Sequence, residues 1–528
     1  MVEGKYIAAI DQGTTSTRCI IFDCGGNIVS SEYAKHEQIY PRVGWVEHDP
    51  NEILEKTRFV IKRSLETAGV QGRQIAAVGV TNQRETTILW DMVTGQPVCN
   101  AIVWQDTRSK DRCAALREDN VEGSLIHPKT GLYAHPYFSS TKIEWVLKNV
   151  PRAYEKAKNG SLLFGNIDTW IIWNLTKGGR NNPTPERIGA HLTDYTNASR
   201  TMLFDIGRLE WSPDLLRMFG IPPEIMPLVR PSSNRESFGY TSADGPFGFE
   251  VPICGDLGDQ QAALVGQACF EPGEAKNTYG TGCFLLANLG DRPKFSQRGL
   301  LTTIAFGFDE GQCSYAFEGS VAIAGAAVEW LRDNLNLIKS SAETEPLAQS
   351  VSITGSGGVY FVPAFSGLFA PYWDADARGI MTGLTQYTRK EHLVHATLES
   401  ICWQTRDVYD AITEEMRAKG KALKVDGGAA RNNYLMQLQA DILGIEVVRP
   451  VVTETTSLGA AYAAGLAVDF WSSKKDLRNN CKIDRVFIPK WDAGKRKKLH
   501  NGWSASVGRC REWLKEVGDL PPSGTAVD

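Results

Sequence analysis

The chain opens with two apolar runs, Ile7–Ile10 and Cys19–Phe22, and between them lies a stretch with no large apolar side chain, Asp11 to Arg18. Short apolar runs bounded by polar clusters predict buried strands. The interruption carries an acid, a glycine, four hydroxyls and an arginine, more hydrogen-bonding capacity than a two-residue hairpin turn requires. After it the periodicity changes. Apolar positions at Ile53, Leu54, Val60, Ile61 and Leu65, with Thr57, make one face of a helix. Asp49 is placed to cap it, Pro50 to open it and Gly69 to end it. Strands are predicted over 75–81 and 86–91. Alternation of strands and helices predicts an α/β fold with a largely covered sheet.

The second half repeats this grammar. Residues 251–270 read as a short strand, a Gly-rich turn and a helix, and a domain boundary is expected near 255, with one domain over 1–255 and another over 256–528. Residues 277–289, NTYGTGCFLLANL, read as strand, Gly-Thr-Gly turn, strand, an echo of the opening that hints at a duplicated domain. A long helix is predicted within 392–416. Strand, Gly-Gly turn, helix and strand follow over 421–450, with Gly444 as the helix stop. The run TTSLGAAYAAGLAV, from 455, predicts a helix of small residues suited to close packing. Residues 178–193, rich in Gly, Pro and Asn, predict a surface loop, and the basic run 495–498 a solvated helix face.

Composition narrows the function classes. A length of 528 residues favours two or more domains, and 42% apolar with 22% charged residues is the balance of a globular protein. A net charge of −4 argues against nucleic acid or an anionic membrane as the main partner. No apolar run reaches the roughly 18–20 residues of a membrane span. The 11 cysteines are scattered without C-x-x-C, as expected for reduced thiols in the cytoplasm.

Three Gly-containing turns leave strands, at Gly13, at Gly280-Thr281-Gly282 and at Gly427-Gly428. Such turns let backbone N–H groups approach an anion, and Arg18 adds a fixed positive charge, a combination suited to a polyphosphate. Neither the P-loop nor the dinucleotide fingerprint is present. Asp11 can be a turn-initiating residue or a carboxylate holding Mg2+ through water. Asp259 can be a helix N-cap or the base that takes a hydroxyl proton during phosphoryl transfer, and Asp256 three residues before it makes a D-x-x-D pattern.

Taken together, DQGTTSTR (11–18), TNQRETT (81–87), NAIVWQDTR (100–108), PYFSSTK (136–142), GDQQAAL (258–264), KNTYGTGCF (276–284) and DGGAARNN (426–433) closely resemble the glycerol kinases. These belong to the carbohydrate-kinase family with the actin-like, ribonuclease-H-like ATPase fold. The resemblance runs from about residue 5 to about 472. It implies two domains of one basic fold with the catalytic cleft between them, and in-line transfer of the γ-phosphoryl group of ATP to glycerol, giving sn-glycerol 3-phosphate. By motif, Thr14, Thr15, Ser16 and Arg18 resemble the phosphate hairpin, and Asp11 the metal site for Mg2+. Thr281, Gly325, Gly428 and Asn432 resemble further nucleotide contacts. Arg84, Glu85, Tyr137, Asp259 and Gln260 resemble the polyol site, Trp104 and Phe284 its apolar wall, and Asp259 the general base. Because Arg84 and Glu85 are adjacent, both reach one ligand only where the strand ends or bulges. The resemblance further implies a homodimer or homotetramer in the cytoplasm, with peripheral association with mitochondria as an alternative. Inhibition by a sugar bisphosphate is not expected, because 240–253 holds no Lys or Arg. Two other readings stay open: a kinase for another polyol or ketose, and a non-catalytic nucleotide-binding regulator on the same fold.

Overall fold

The computed structural model describes residues 5–518 apart from 120, 181, 183, 185–187 and 354. The two opening runs are the hairpin strands β1 (Tyr6–Gln12) and β2 (Ser16–Phe22), with β3 (Ile28–Lys35) antiparallel beyond them. The strands extend into the polar stretch, so only residues 13–15 form the turn, and Asp11 pairs with Arg18 and Gln12 with Thr17. The expected long interruption is therefore a tight turn, closed by Gly13 N–H donating to the Ser16 carbonyl at 2.9 Å. Ladder hydrogen bonds accept polar residues, because the backbone pairs whatever the side chain is.

Helix α1 (Pro50–Ala68) forms as its signals dictate: the Asp49 carboxylate accepts from Asn51 N–H, and Gly69 ends it at φ 64°. Its apolar stripe lies against β2 and β3 and leads into β4 (Ile75–Asn82), parallel to β1. Helix α2 (Ser139–Asn149) and helix α3 (Ile167–Leu175) follow. Strand β5 (Ile253–Gly258) then pairs in parallel with β4, completing a sheet of order β5-β4-β1-β2-β3. Helix α4 (Asp259–Gly266) leaves its carboxyl end.

The second sheet repeats the plan. A hairpin of β6 (Ala275–Tyr279) and β7 (Cys283–Gly290) starts it, and β8 (Leu301–Asp309) and β9 (Gln312–Val321) extend it antiparallel. Helix α5 (Gly325–Asp333) and the long helix α6 (Lys390–Met416) precede β10 (Ala422–Asp426), which lies parallel to β6 as β4 lies parallel to β1. Helix α7 (Asn433–Leu443), stopped by Gly444 at φ 68°, leads to β11 (Glu446–Pro450). Helix α8 (Thr455–Ala467) then returns to the first sheet, packing on α4, β4 and β5. Strand β12 (Ile483–Phe487) and helix α9 (Ala493–Cys510) finish the second unit.

One apolar cluster fills the face of the first sheet toward α3, around Ile10, Val80, Trp90, Trp170 and Trp173. Another joins the opposite face to α4, α8 and the second sheet, through Ile7, Phe22, Leu264, Ala460 and Leu286. A third is the core between the second sheet and α6 and α7. The expected surface loop at 178–193 is corrected at its far end. Residues 189–193 are buried, and Leu192–Asp194 pairs as a strand with Leu228–Arg230, while 181, 183 and 185–187 lie outside the described residues. In the basic run, Lys495, Lys497 and Lys498 face solvent, whereas Arg496 is half-buried and donates to the Trp491 carbonyl.

Candidate active site

The polyol candidates converge where β4 ends. Asn82 is the last residue of the strand, and Glu85 sits at φ 63°, a left-handed conformation that lets Arg84 and Glu85 turn to the same side. The bend is held by Ser139 Oγ and Thr87 Oγ1, both donating to the Glu85 carbonyl at 3.2 and 3.1 Å. Arg84 Nε lies 3.1 Å from Asp259 Oδ1, and its Nη2 donates to Tyr137 Oη at 3.3 Å. Asp259 is the first residue of α4; the cap position belongs to Gly258. Tyr137 is fixed from behind by buried Lys142, whose Nζ donates to the carbonyls of Tyr137 and Phe138 at 2.6 and 3.1 Å. Half-buried Trp104 meets Tyr137 and Phe284 edge-to-face, with ring centroids 5.5 and 6.4 Å away. All seven residues are thus joined by contact or by chain adjacency.

Sequence reasoning missed the charges that hold this group. Glu318, on β9, is fully buried and binds Arg84 through both oxygens, at 2.6 and 3.0 Å. Arg200 donates to Glu318 at 3.1 Å and to Glu85 at 2.6 Å. Burial opposes the Glu318 charge, but Arg200 and Arg84 more than offset it and hold its carboxyl at about 2. Glu85 goes the other way: burial raises it above the usual carboxylate range despite Arg200 and Arg84. Lys276, on β6, is also fully buried, and its value falls to about 8 because burial disfavours the cation. The only sequence signal for Glu318 and Lys276 is a single charge within a strand-forming run.

The phosphate candidates lie alongside. Trp104 Nε1 donates to Thr14 Oγ1 at 2.9 Å, tying the apolar wall to the hairpin turn. Among the described residues, nothing accepts from the N–H groups of Thr14 and Thr15 at its tip. Thr15 is exposed and Ser16 half-buried. Arg18 pairs with Glu454, just before α8. Asp11 is 8% exposed, and Ser457 Oγ donates to one of its oxygens at 3.0 Å. Burial raises Asp11 to about 6, with Arg18 opposing.

No group of three or more ligating side chains able to hold a metal occurs among the described residues. One under-compensated buried carboxylate fits Mg2+, which binds through one or two carboxylates, water and substrate phosphates. Asp256 is not part of this site. It pairs with Val80 on the opposite face of the sheet from Asp11, whose partner is Thr81, and it packs toward Asp168.

Thr281 and Gly325 are brought together: the amides of Ala324 and Ala326 donate to the Thr281 carbonyl at 2.8 and 3.1 Å, and Gly325 N–H to the Gly280 carbonyl at 3.0 Å. A Cβ on Gly325 would lie 2.5 Å from that carbonyl oxygen, so the approach requires glycine. Gly428 borders open space, where a Cβ would meet nothing within 4 Å. Asn432 caps α7, its Oδ1 accepting from Leu435 N–H at 2.9 Å, and its Nδ2 donates to Thr344.

Residues 6–266 match the N-terminal domain, and 275–468 the C-terminal domain, of the FGGY family of carbohydrate kinases. The chain is 54% identical to a glycerol kinase of Thermoanaerobacter sp. (strain X514) over 512 residues, 97% of this chain and 100% of that protein. It is 53% identical to glycerol kinase 2 of Thermotoga maritima over 511 residues, 97% of this chain and 100% of that one. Its fold superposes on Plasmodium falciparum glycerol kinase with ADP at a TM-score of 0.87 and 39% identity, covering 96% of this chain and 98% of that one. A ligand-bound xylulose kinase from Lactobacillus acidophilus shares the fold at a TM-score of 0.80 and 22% identity, covering 98% of this chain and 99% of that one.

Proposed function

The chain belongs to the FGGY family of carbohydrate kinases and is a glycerol kinase by likeness over nearly its whole length, and from that premise we propose how its residues carry phosphoryl transfer from ATP to glycerol. The observation that carries the reading is the convergence of Arg84, Glu85, Tyr137, Asp259 and Gln260 beside the Trp104–Phe284 wall, one tryptophan hydrogen bond from the hairpin turn. Glycerol offers three hydroxyls on an apolar C–H frame. A wall of ring edges packs the frame, and buried polar groups match the hydroxyls and reject analogues that lack them.

Asp259 is the base in this reading. Its Oδ1 is engaged by Gln260 N–H at 2.7 Å and by Arg84, while Oδ2 bonds to nothing among the described residues and faces the substrate hydroxyl. The hydroxyl oxygen attacks the γ-phosphorus of ATP, its proton passes to Asp259, and the bond from phosphorus to the ADP oxygen breaks in line. The free amides of Thr14 and Thr15 and the Arg18 guanidinium face the phosphoryl oxygens. Arg18 must leave Glu454 to do so. Asp11 would hold Mg2+, which supplies charge neutralisation on the phosphates. Thr281 and Gly325 line the phosphates further along, and Gly428 and Asn432 the adenosine. A cytoplasmic location and assembly into a homodimer or homotetramer complete the proposal; sedimentation velocity tests the latter.

The reading is tested by ADP release from MgATP with glycerol, dihydroxyacetone, xylulose or no acceptor. Turnover highest with glycerol is expected. Turnover with a ketose alone would reassign the polyol site, and acceptor-independent or absent turnover would leave a nucleotide-binding protein without kinase activity.

A further inference from the structure

We propose that Lys276 is a positioning residue that fixes which way the Gln260 carboxamide faces, and so makes position 260 a hydrogen-bond donor to the polyol. The proposal rests on the polyol site described above. Lys276 is fully buried on β6, and its Nζ reaches Gln260 Oε1 at 2.6 Å, Thr278 Oγ1 at 2.8 Å and the Phe284 carbonyl at 3.3 Å. An ammonium carries three N–H donors and no acceptor. All three are spent, so Lys276 offers none to a substrate. The same fact fixes Gln260: only its oxygen can face an ammonium, and Nε2 must point the other way. Gln260 is 5% exposed, and its Nε2 has no partner among the described residues but is not sealed from solvent.

The rest of the site makes this donor matter. Arg84 has five N–H donors, and five acceptors surround them: both Glu318 oxygens, Gln261 Oε1, Tyr137 Oη and Asp259 Oδ1. Glu85 and Asp259 are acceptors. Among the described residues, Gln260 Nε2 is thus the donor of the polyol-binding side chains left uncommitted and still open to a ligand, since the other unpaired donor, Arg200 Nη1, is sealed from solvent, and without Lys276 the carboxamide is free to present its oxygen instead. Two oxygens facing one another with no proton between them repel, so a flipped carboxamide opposes a substrate hydroxyl that already donates to a carboxylate. The bond joins β6 of the second sheet to α4, the helix that leaves β5 of the first sheet and packs against strands of both.

Steady-state kinetics of the full chain as wild type, Lys276→Met, Gln260→Ala and the double variant test this. Lys276→Met is expected to raise the glycerol KM about tenfold, with the ATP KM within about twofold. In the Gln260→Ala background the same change is expected to add less than about twofold, because the carboxamide it acts through is gone. An equal penalty in both backgrounds, or an unchanged glycerol KM, overturns the proposal. Should Lys276→Met not fold, Gln260→Glu carries the test: it keeps Lys276 but replaces the donor with an oxygen, and a wild-type glycerol KM in it overturns the proposal. A wild-type enzyme that phosphorylates no polyol would instead sink the site assignment itself.

Discussion

Two carboxylates set the chemistry at the scale of single residues, and each makes a prediction. Asp11 sits at about 6 because burial outweighs Arg18. It takes up a proton as pH falls through that value, and a protonated carboxyl does not bind a cation. Affinity for MgADP should therefore be flat above pH ~7 and fall below pH ~5.5. Titration calorimetry checks this, and Asp11→Asn should bind more weakly with the pH dependence gone. Asp259→Asn should keep nucleotide affinity while kcat drops by about 10²–10⁴. Near-normal turnover would remove Asp259 from the base role. Asp11 and Asp259 were legible in the sequence as acids at strand and helix ends. Their environment was not, because Ser457, which donates to Asp11, and Arg84, which meets Asp259, lie far from them along the chain.

At the scale of elements, α8 shows composition becoming geometry. Its small residues let it lie almost on the backbone of its neighbours. A Cβ on Gly459 would come within 1.8 Å of the Ala262 carbonyl oxygen, and one on Gly79 of β4 within 2.1 Å of Ala460 O. Gly459→Ala should lower the thermal midpoint by several degrees, a cost of about 1–3 kcal/mol or more from overpacking. Gly508, exposed on α9 with nothing within 4 Å of a Cβ, is the control: Gly508→Ala should be neutral or stabilising by up to about 1 kcal/mol. Periodicity and caps located α1 with both its ends and the Gly444 stop of α7, and the glycine turns located the hairpins but not how far their strands run. They could not say that α8 crosses back to the first sheet, because close packing of small residues is satisfied by any smooth partner.

Across the whole molecule, Glu318 ties the two units at the substrate site. It comes from the second sheet and satisfies Arg84, just past the end of β4, and Arg200, just past the short helix Tyr195–Ala198. Removing it leaves two buried cations short of a partner, so Glu318→Ala should destabilise by roughly 3–5 kcal/mol. Its carboxyl is held at about 2 against a usual 4.5. That contribution is fully present above about 4.5 and lost as pH falls toward 2, so acid unfolding in Glu318→Gln should start from a lower stability and fall less steeply over that window. Thermal scans across the acid range check both.

What the sequence determined by itself was local: the strand and helix periods, the caps, the glycine turns, and motifs specific enough to place the chain among the glycerol kinases. Those signals are written in spacings of a few residues, where backbone sterics and hydrogen bonding act. The tertiary structure alone decided that β1 and β2 run on into the polar stretch, that residues 189–193 are buried, that Asp256 faces away from Asp11, and that Glu318, Arg200 and Lys276 hold the polyol residues. The reason is physical. A charge can stay buried only where opposite charges or acceptors from other parts of the chain meet it, and that meeting exists only once the chain has folded.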